Sequence, residues 1–273
     1  MFKLYVPTIF IGLPIIIYIS LRIISFCLHK INNIIKKNIV IGIEGNIGVG
    51  KTTFLDNLKS IMSVEKATFI SEPVDEWLSI TDDEGKNILA KFYEDKRKYA
   101  FQFQINSYTT KMRKLARALH QMTLSTKKII FTDRSIGTDK NVFAKMLYDD
   151  KLLDTLEYKM YIERSNVCEE FIINNKNTNI IYLRCDPTVA YNRIQKRGRT
   201  EEKMIPLEYL KSLHEYHEKW INSEIEKGSN VLVLDWDADL EEDKIVDEIK
   251  KHINKFINSC HRSWIEKILF KLL

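Results

Sequence analysis

The chain has 273 residues, of which 45% are hydrophobic and 29% charged, with 42 Lys and Arg against 37 Asp and Glu for a net charge of +5. This composition excludes a disordered, collagen-like or disulfide-scaffold protein, and the length suits one sizeable domain or two small ones. The surplus charge lies in residues 1–37, where Lys3, Arg22, Lys30, Lys36 and Lys37 stand without an acid, so the rest carries 37 basic and 37 acidic side chains. A nucleic-acid-binding domain carries its excess charge on its own folded face, so no nucleic-acid partner is expected.

Leu4 to Leu21 has no charged residue and would span about 27 Å as a helix, close to a bilayer core of about 30 Å. A second apolar patch, Ile23–Leu28, leads into the basic flank at Lys30, Lys36 and Lys37. No small-residue cleavage site follows, as a signal peptide needs, and the segment is too continuously apolar for an Arg- and Ser-rich presequence. A membrane anchor within residues 4–28 is the expectation, and the basic flank places the main domain in the cytoplasm. Organellar targeting of a soluble enzyme is the alternative. Cys27, Cys168, Cys185 and Cys260 are far apart with no CxxC pair, so free thiols are expected.

Residues 38–258 then read as one domain without a Pro/Gly-rich linker. Asn38–Ile43 is a buried strand, followed by a glycine loop and a helix over Lys51–Met62. Ala67–Ile70 is a second strand, and residues 87–124 are helical with a break near Glu94–Lys96. Lys128–Phe131 and Thr178–Leu183 are further strands; Pro187 opens a helix, as Pro favours the first turn. A long amphipathic helix covers Pro206–Ile225, a fifth strand Asn230–Leu234 and a last helix Leu240–Ile257. The tail, 259–273, sets Trp264, Ile265, Ile268, Leu269 and Leu272 at helical spacing. It suits docking on the domain, pairing with a second subunit or lying on a membrane. Short apolar strands separated by helices predict an α/β fold, a five-stranded parallel sheet flanked by helices in three layers.

The first strand runs into Gly45-Asn46-Ile47-Gly48-Val49-Gly50-Lys51-Thr52, a G-x-x-x-x-G-K-[ST] phosphate loop in its strand–loop–helix setting. Glycines let successive backbone N–H groups turn around phosphate oxygens, and the helix adds its positive dipole end. Lys51 would bridge the β- and γ-phosphates of ATP, and the Thr52 hydroxyl would help hold Mg²⁺.

Ligands of open parallel sheets sit beyond the C-terminal strand ends. The second strand ends at Ser71-Glu72-Pro73, where Pro73 stops the ladder and keeps Glu72 extended. The third ends at Asp133-Arg134-Ser135. A kinase needs a carboxylate to orient or deprotonate the attacking hydroxyl and cations to neutralise the transferring group. Glu72, Asp133 and Arg134 are of those types, although an Asp133–Arg134 ion pair is the plainer alternative. Arg193, Lys196, Arg197 and Arg199 form a later cationic strip that would serve as an Arg-rich lid over ATP, the plainer alternative being a solvated helix end with Arg near its C-terminal dipole. His214-Glu215-Tyr216-His217 has the wrong spacing for a zinc helix and suits surface or packing roles.

Six motifs in order resemble the deoxyribonucleoside kinases. They are IEGNIGVGKTT at Ile43–Thr53, EPVDEW at Glu72–Trp77, FYEDKRKYAFQFQ at Phe92–Gln104, DRS at Asp133–Ser135, RGRTEE at Arg197–Glu202 and IPLEYLKSLHEYHEKW at Ile205–Trp220. The resemblance implies a P-loop kinase fold and ATP- and Mg²⁺-dependent phosphorylation of a deoxynucleoside 5′-hydroxyl. It implies Glu72 as the favoured base, with Asp133 near the metal and sometimes given the base role. Asp133 is one methylene shorter than the commoner Glu, which leaves that division open. Arg134 would bind the 5′ oxygen and phosphoryl group, and Tyr93 and Glu202 the 3′-hydroxyl. Gln104 would pair with the base between Phe103 and Phe143, with Trp77 lining the pocket. Arg193, Arg197 and Arg199 would be the lid cations. Thymidine-accepting members have apolar residues where cytidine- and purine-preferring ones have an Arg–Asp pair. Lys111 and Asp139 stand at those positions, so deoxycytidine or deoxypurines are expected. Family members are commonly dimers, which implies a homodimer. A thymidylate-type monophosphate kinase and a membrane-tethered P-loop switch are the rival readings.

Overall fold

The computed structural model describes residues 39–62, 67–122, 129–173, 179–199, 202, 205–237 and 242–272. Five strands, β1 (Ile39–Glu44), β2 (Ala67–Ile70), β3 (Ile129–Asp133), β4 (Asn179–Arg184) and β5 (Asn230–Asp235), form one sheet in the order β2-β3-β1-β4-β5. Every pairing is parallel, so each connection crosses a face of the sheet through helix. The helices are α1 (Lys51–Ile61), α2 (Val74–Leu78), α3 (Ile88–Glu94), α4 (Lys96–Met122), α5 (Ile136–Thr138), α6 (Lys145–Asp149), α7 (Thr155–Ile173), α8 (Pro187–Arg197), α9 (Leu207–Glu226) and α10 (Glu242–Leu272). A π-helical turn over Asp139–Ala144 joins α5 to α6.

Strand alternation fills both faces. Ile41, Ile43, Phe131, Ile181 and Leu183 pack with Phe54 and Leu58 of α1 and Ile249 and Ile253 of α10. On the other side Ile130 meets Met112 and Leu115 of α4 and Tyr161 of α7, while Ile180 and Tyr182 meet Leu210 and Leu213 of α9. Phe131 is fully buried at the sheet centre; cutting it to Ala should cost about 3–5 kcal/mol. The order reverses about β1, which opens a crevice at the strand C-termini.

The helix break expected near Glu94–Lys96 falls at Asp95, whose carboxylate accepts the Lys98 N–H at 3.0 Å and caps α4. β3 extends two residues past the expected Phe131, because Thr132 and Asp133 pair with Gly42 and Ile43. α7 has no counterpart among the expected elements. Its start is a reciprocal cap: Asp154 accepts the N–H groups of Leu156 and Glu157, and Glu157 accepts that of Asp154. The last helix runs on to Leu272 instead of stopping at Ile257. Cys185 and Cys260 are free and buried; Cys27 and the side chain of Cys168 lie outside the described residues.

The anchor expected over residues 4–28 also lies outside the described residues. Among the described residues no helix is long and apolar enough to cross a membrane. The membrane-anchored placement, with its transmembrane helix, is therefore not supported.

Candidate active site

β1 delivers the chain into the phosphate loop, which curls between α1 and α8. Gly48 has φ 82, and a Cβ there would stand 2.5 Å from the Ala190 carbonyl, so only glycine fits. Lys51 opens α1, and its Nζ donates to the carbonyls of Gly45 at 3.1 Å and Asn46 at 2.7 Å. Burial, helped by the positive charge of Arg134, pulls the Lys51 pKa from 10.5 to about 7. The Asn46 side chain accepts the Ile47 N–H at 2.8 Å and donates to the Leu210 carbonyl at 2.8 Å, tying the loop to α9.

Asp133 ends β3 beside this loop. Its Oδ2 accepts the Thr52 hydroxyl at 3.0 Å, while Oδ1 is buried without a partner. Burial, then the charge of Glu72, raises its pKa. An unmet carboxylate oxygen beside a phosphate-loop hydroxyl fits a hard cation. No group of three or more His, Cys, Asp or Glu fit for a metal occurs among the described residues. Mg²⁺ takes one or two carboxylates plus substrate phosphates and water, and Asp133 with Thr52 offers one carboxylate and one hydroxyl.

A narrow cleft of about 70 Å³ opens at the strand ends beside Arg134. Glu72, Trp77, Tyr93, Phe103, Gln104, Lys111, Arg134, Asp139, Phe143 and Glu202 all line it. Arg134 Nη1 donates to both Glu72 oxygens, at 3.0 and 2.8 Å. Lys111 Nζ lies 2.6 Å from Asp139 Oδ1 and 3.4 Å from Glu72 Oε1. Burial alone would raise the Glu72 pKa, but Arg134, Lys111 and Lys51 together hold it at about 2. Arg134 sits at φ 60, a conformation that costs a non-glycine residue about 1–3 kcal/mol. Phe103 meets Trp77 edge-on at 5.3 Å and stacks on Phe92 at 4.8 Å, and Trp77 donates to the Thr110 hydroxyl at 2.9 Å. The Arg134 guanidinium lies 5.3 Å from the Phe143 ring centre. Four buried polar atoms here have no protein partner: Gln104 Oε1, Asp139 Oδ2, and Arg134 Nε and Nη2.

The cationic strip divides. Arg193 stands apart from the cleft and donates to the carbonyls of Trp236 at 2.9 Å, Asp237 at 3.1 Å and Val49 at 3.3 Å. Arg197 and Arg199 both pair with Glu202, and Arg199 reaches the cleft. Sequence reading missed Ser107 and Tyr209, which also line the cleft. Ser107 follows Gln104 by three residues and precedes Lys111 by four, a helical spacing that marks it. Tyr209 lies inside the last quoted motif, with Lys96 Nζ 3.7 Å from its ring centre.

A family model for deoxynucleoside kinases matches residues 41–258. The chain belongs to the deoxynucleoside kinase family. Among curated relatives, the fowlpox virus protein named "Probable deoxycytidine kinase" is 34% identical over 199 residues, covering 73% of this chain and 78% of its own. The deoxycytidine kinase of Bos taurus is 32% identical over 237 residues, with 78% and 90% covered. The mitochondrial deoxyguanosine kinase of Xenopus laevis is 30% identical over 237 residues, with 80% and 89% covered. The kinase phosphorylates deoxynucleosides, which sets aside the monophosphate-kinase and switch readings.

Proposed function

We propose that this kinase transfers the γ-phosphoryl group of ATP to the 5′-hydroxyl of deoxycytidine or a deoxypurine nucleoside in preference to thymidine. The observation that carries the preference is the pair of unmet acceptors, Gln104 Oε1 and Asp139 Oδ2, in one cleft. Cytosine and adenine offer an exocyclic amine, and guanine an N1–H and an amine. Thymine offers one N3–H between two carbonyls and would leave buried acceptors unpaired. Lys111 neutralises Asp139 as a point charge.

The hydroxyl oxygen attacks the γ-phosphorus as the bond to the β-phosphate oxygen breaks, and ADP leaves. The hydroxyl proton passes to Glu72, which stands in the cleft as a carboxylate. Such transfers run through a loose transition state, so positioning counts for more than basicity and a carboxylate of low pKa serves. Arg134 directs its two unmet donors at the phosphoryl oxygens. Residues 45–52 cradle the phosphates, with Lys51 on the β- and γ-groups. Thr52 and Asp133 would hold Mg²⁺, which supplies charge neutralisation. Phe103 and Phe143 sandwich the base, Trp77 closes the pocket, and Tyr93 and Glu202 take the 3′-hydroxyl. Arg197 and Arg199 act as the lid cations, and Arg193, bonded to the Val49 carbonyl, braces their helix on the phosphate loop. Residues 38–258 make up the catalytic domain.

Initial rates with ATP, Mg²⁺ and each of the four deoxynucleosides test this reading. Deoxycytidine should exceed thymidine by at least about tenfold in kcat/KM. Equal or better use of thymidine contradicts it.

A further inference from the structure

Glu44 closes β1 and is fully buried, yet its carboxylate is bonded to a turn instead of a side-chain cation. Oε1 accepts the backbone N–H of Ser135 at 2.7 Å, and Oε2 accepts the Thr138 hydroxyl. A buried carboxylate is costly to desolvate and persists only where donors hold it. Room for it comes from Gly42 in the middle of β1. A Cβ there would lie 2.8 Å from Glu44 Oε1 and 2.9 Å from the Ser135 Cβ. Glycine weakens a strand interior and marks close approach, here of the carboxylate to the turn.

The turn is the one that carries Arg134. Its φ of 60 is left-handed, and its N–H donates to the Ile43 carbonyl at 3.0 Å. Such a conformation survives where the surroundings over-determine it. The Glu44 bonds to Ser135 and Thr138 fix the chain immediately after Arg134. Arg134 in turn grips Glu72 through Nη1 alone, which leaves Nε and Nη2 free of protein partners.

We propose that Glu44 is a positioning residue for phosphoryl transfer, acting through Ser135 and Thr138 to hold Arg134 in the left-handed turn that aims its free donors into the cleft. This rests on the reading of Arg134 as the cation of the transfer. Glu44→Ala should lower kcat by roughly tenfold to a hundredfold, as small misplacements of a catalytic group do. ADP affinity should stay unchanged. Glu44→Gln, whose amide oxygen still accepts the Ser135 N–H, should keep kcat within about threefold of wild type. Thr138→Val, which removes one hydroxyl, should lose less than Glu44→Ala and covers the case in which that variant does not fold.

The deciding readout is a double-mutant cycle with Arg134→Ala. If Glu44 acts through Arg134, Glu44→Ala or Thr138→Val costs nothing further in kcat once Arg134 is gone. Equal losses in both backgrounds, or kcat unchanged in both single variants, overturn the proposal. An Arg134→Ala enzyme with wild-type kcat instead overturns the reading of Arg134, a distinguishable result.

Discussion

In the phosphate loop, Lys51 rests on the carbonyls of Gly45 and Asn46, six residues apart at most. In the acceptor cleft, Glu72 follows β2, Lys111 comes from α4, Arg134 follows β3 and Asp139 opens the π turn. The donor side is thus local: backbone geometry and one helix end make an anion site from contiguous residues. The acceptor side is assembled from four segments whose buried charges hold each other in place. A local site keeps its shape when a distant residue changes, whereas a charge cluster loses its balance with any member.

Four experiments probe that contrast. The largest effect should come from Glu72→Gln, which removes the proposed proton acceptor. We expect kcat to fall by about 10²–10⁴, with ADP binding by calorimetry changed far less, because Glu72 touches the phosphate loop only through the longer-range charge of Lys51. A parallel loss of ADP affinity would erase the distinction between the two regions. Next is Lys111→Met, which leaves Asp139 and Glu72 without their shared cation. Urea unfolding should show a loss of about 3–5 kcal/mol, and a loss below about 1 kcal/mol would mean the cluster is not mutually held.

The third concerns α9 behind the cleft. His217 is buried, its ring 6.1 Å from that of Tyr182, and burial lowers its pKa from 6.5 to about 3. The unfolded chain therefore binds a proton that the folded one does not between those values. Its contribution to stability is complete above about pH 6.5 and falls by up to about 1.4 kcal/mol per pH unit on acidification towards pH 3. His217→Gln should flatten the pH dependence of urea unfolding between pH 6.5 and pH 4 by one proton's worth; an unchanged slope refutes this. The smallest effect belongs to the donor side. With its pKa near 7, Lys51 is mostly neutral at pH 8.5 until phosphates arrive. ADP binding should then take up close to one proton, read as a dependence of binding enthalpy on buffer ionisation. No uptake would show that Lys51 is already charged.

The same contrast governs what could be read from the chain. The phosphate loop is contiguous and surrounded by its strand and helix, so its pattern is complete in the sequence. Strand ends betrayed Glu72 and Asp133 because Pro73 and the turn after Asp133 stop the apolar runs. Glu44 went unnoticed although it adjoins the loop, since its partners Ser135 and Thr138 are more than ninety positions away. α7 lacked an apolar stripe, yet Asp154 and Glu157 form a cap whose spacing was visible. Nothing in the pattern announces the π turn over Asp139–Ala144, because a single wide turn breaks the helical period it would be judged by.

The most direct test follows ADP and deoxynucleoside monophosphate together. The full-length protein is incubated with ATP, Mg²⁺ and deoxycytidine, and both products are quantified over time. Coupled phosphoryl transfer requires one dCMP per ADP, with ADP release nearly absent when deoxycytidine is omitted. ADP released at the same rate without a deoxynucleoside would contradict it.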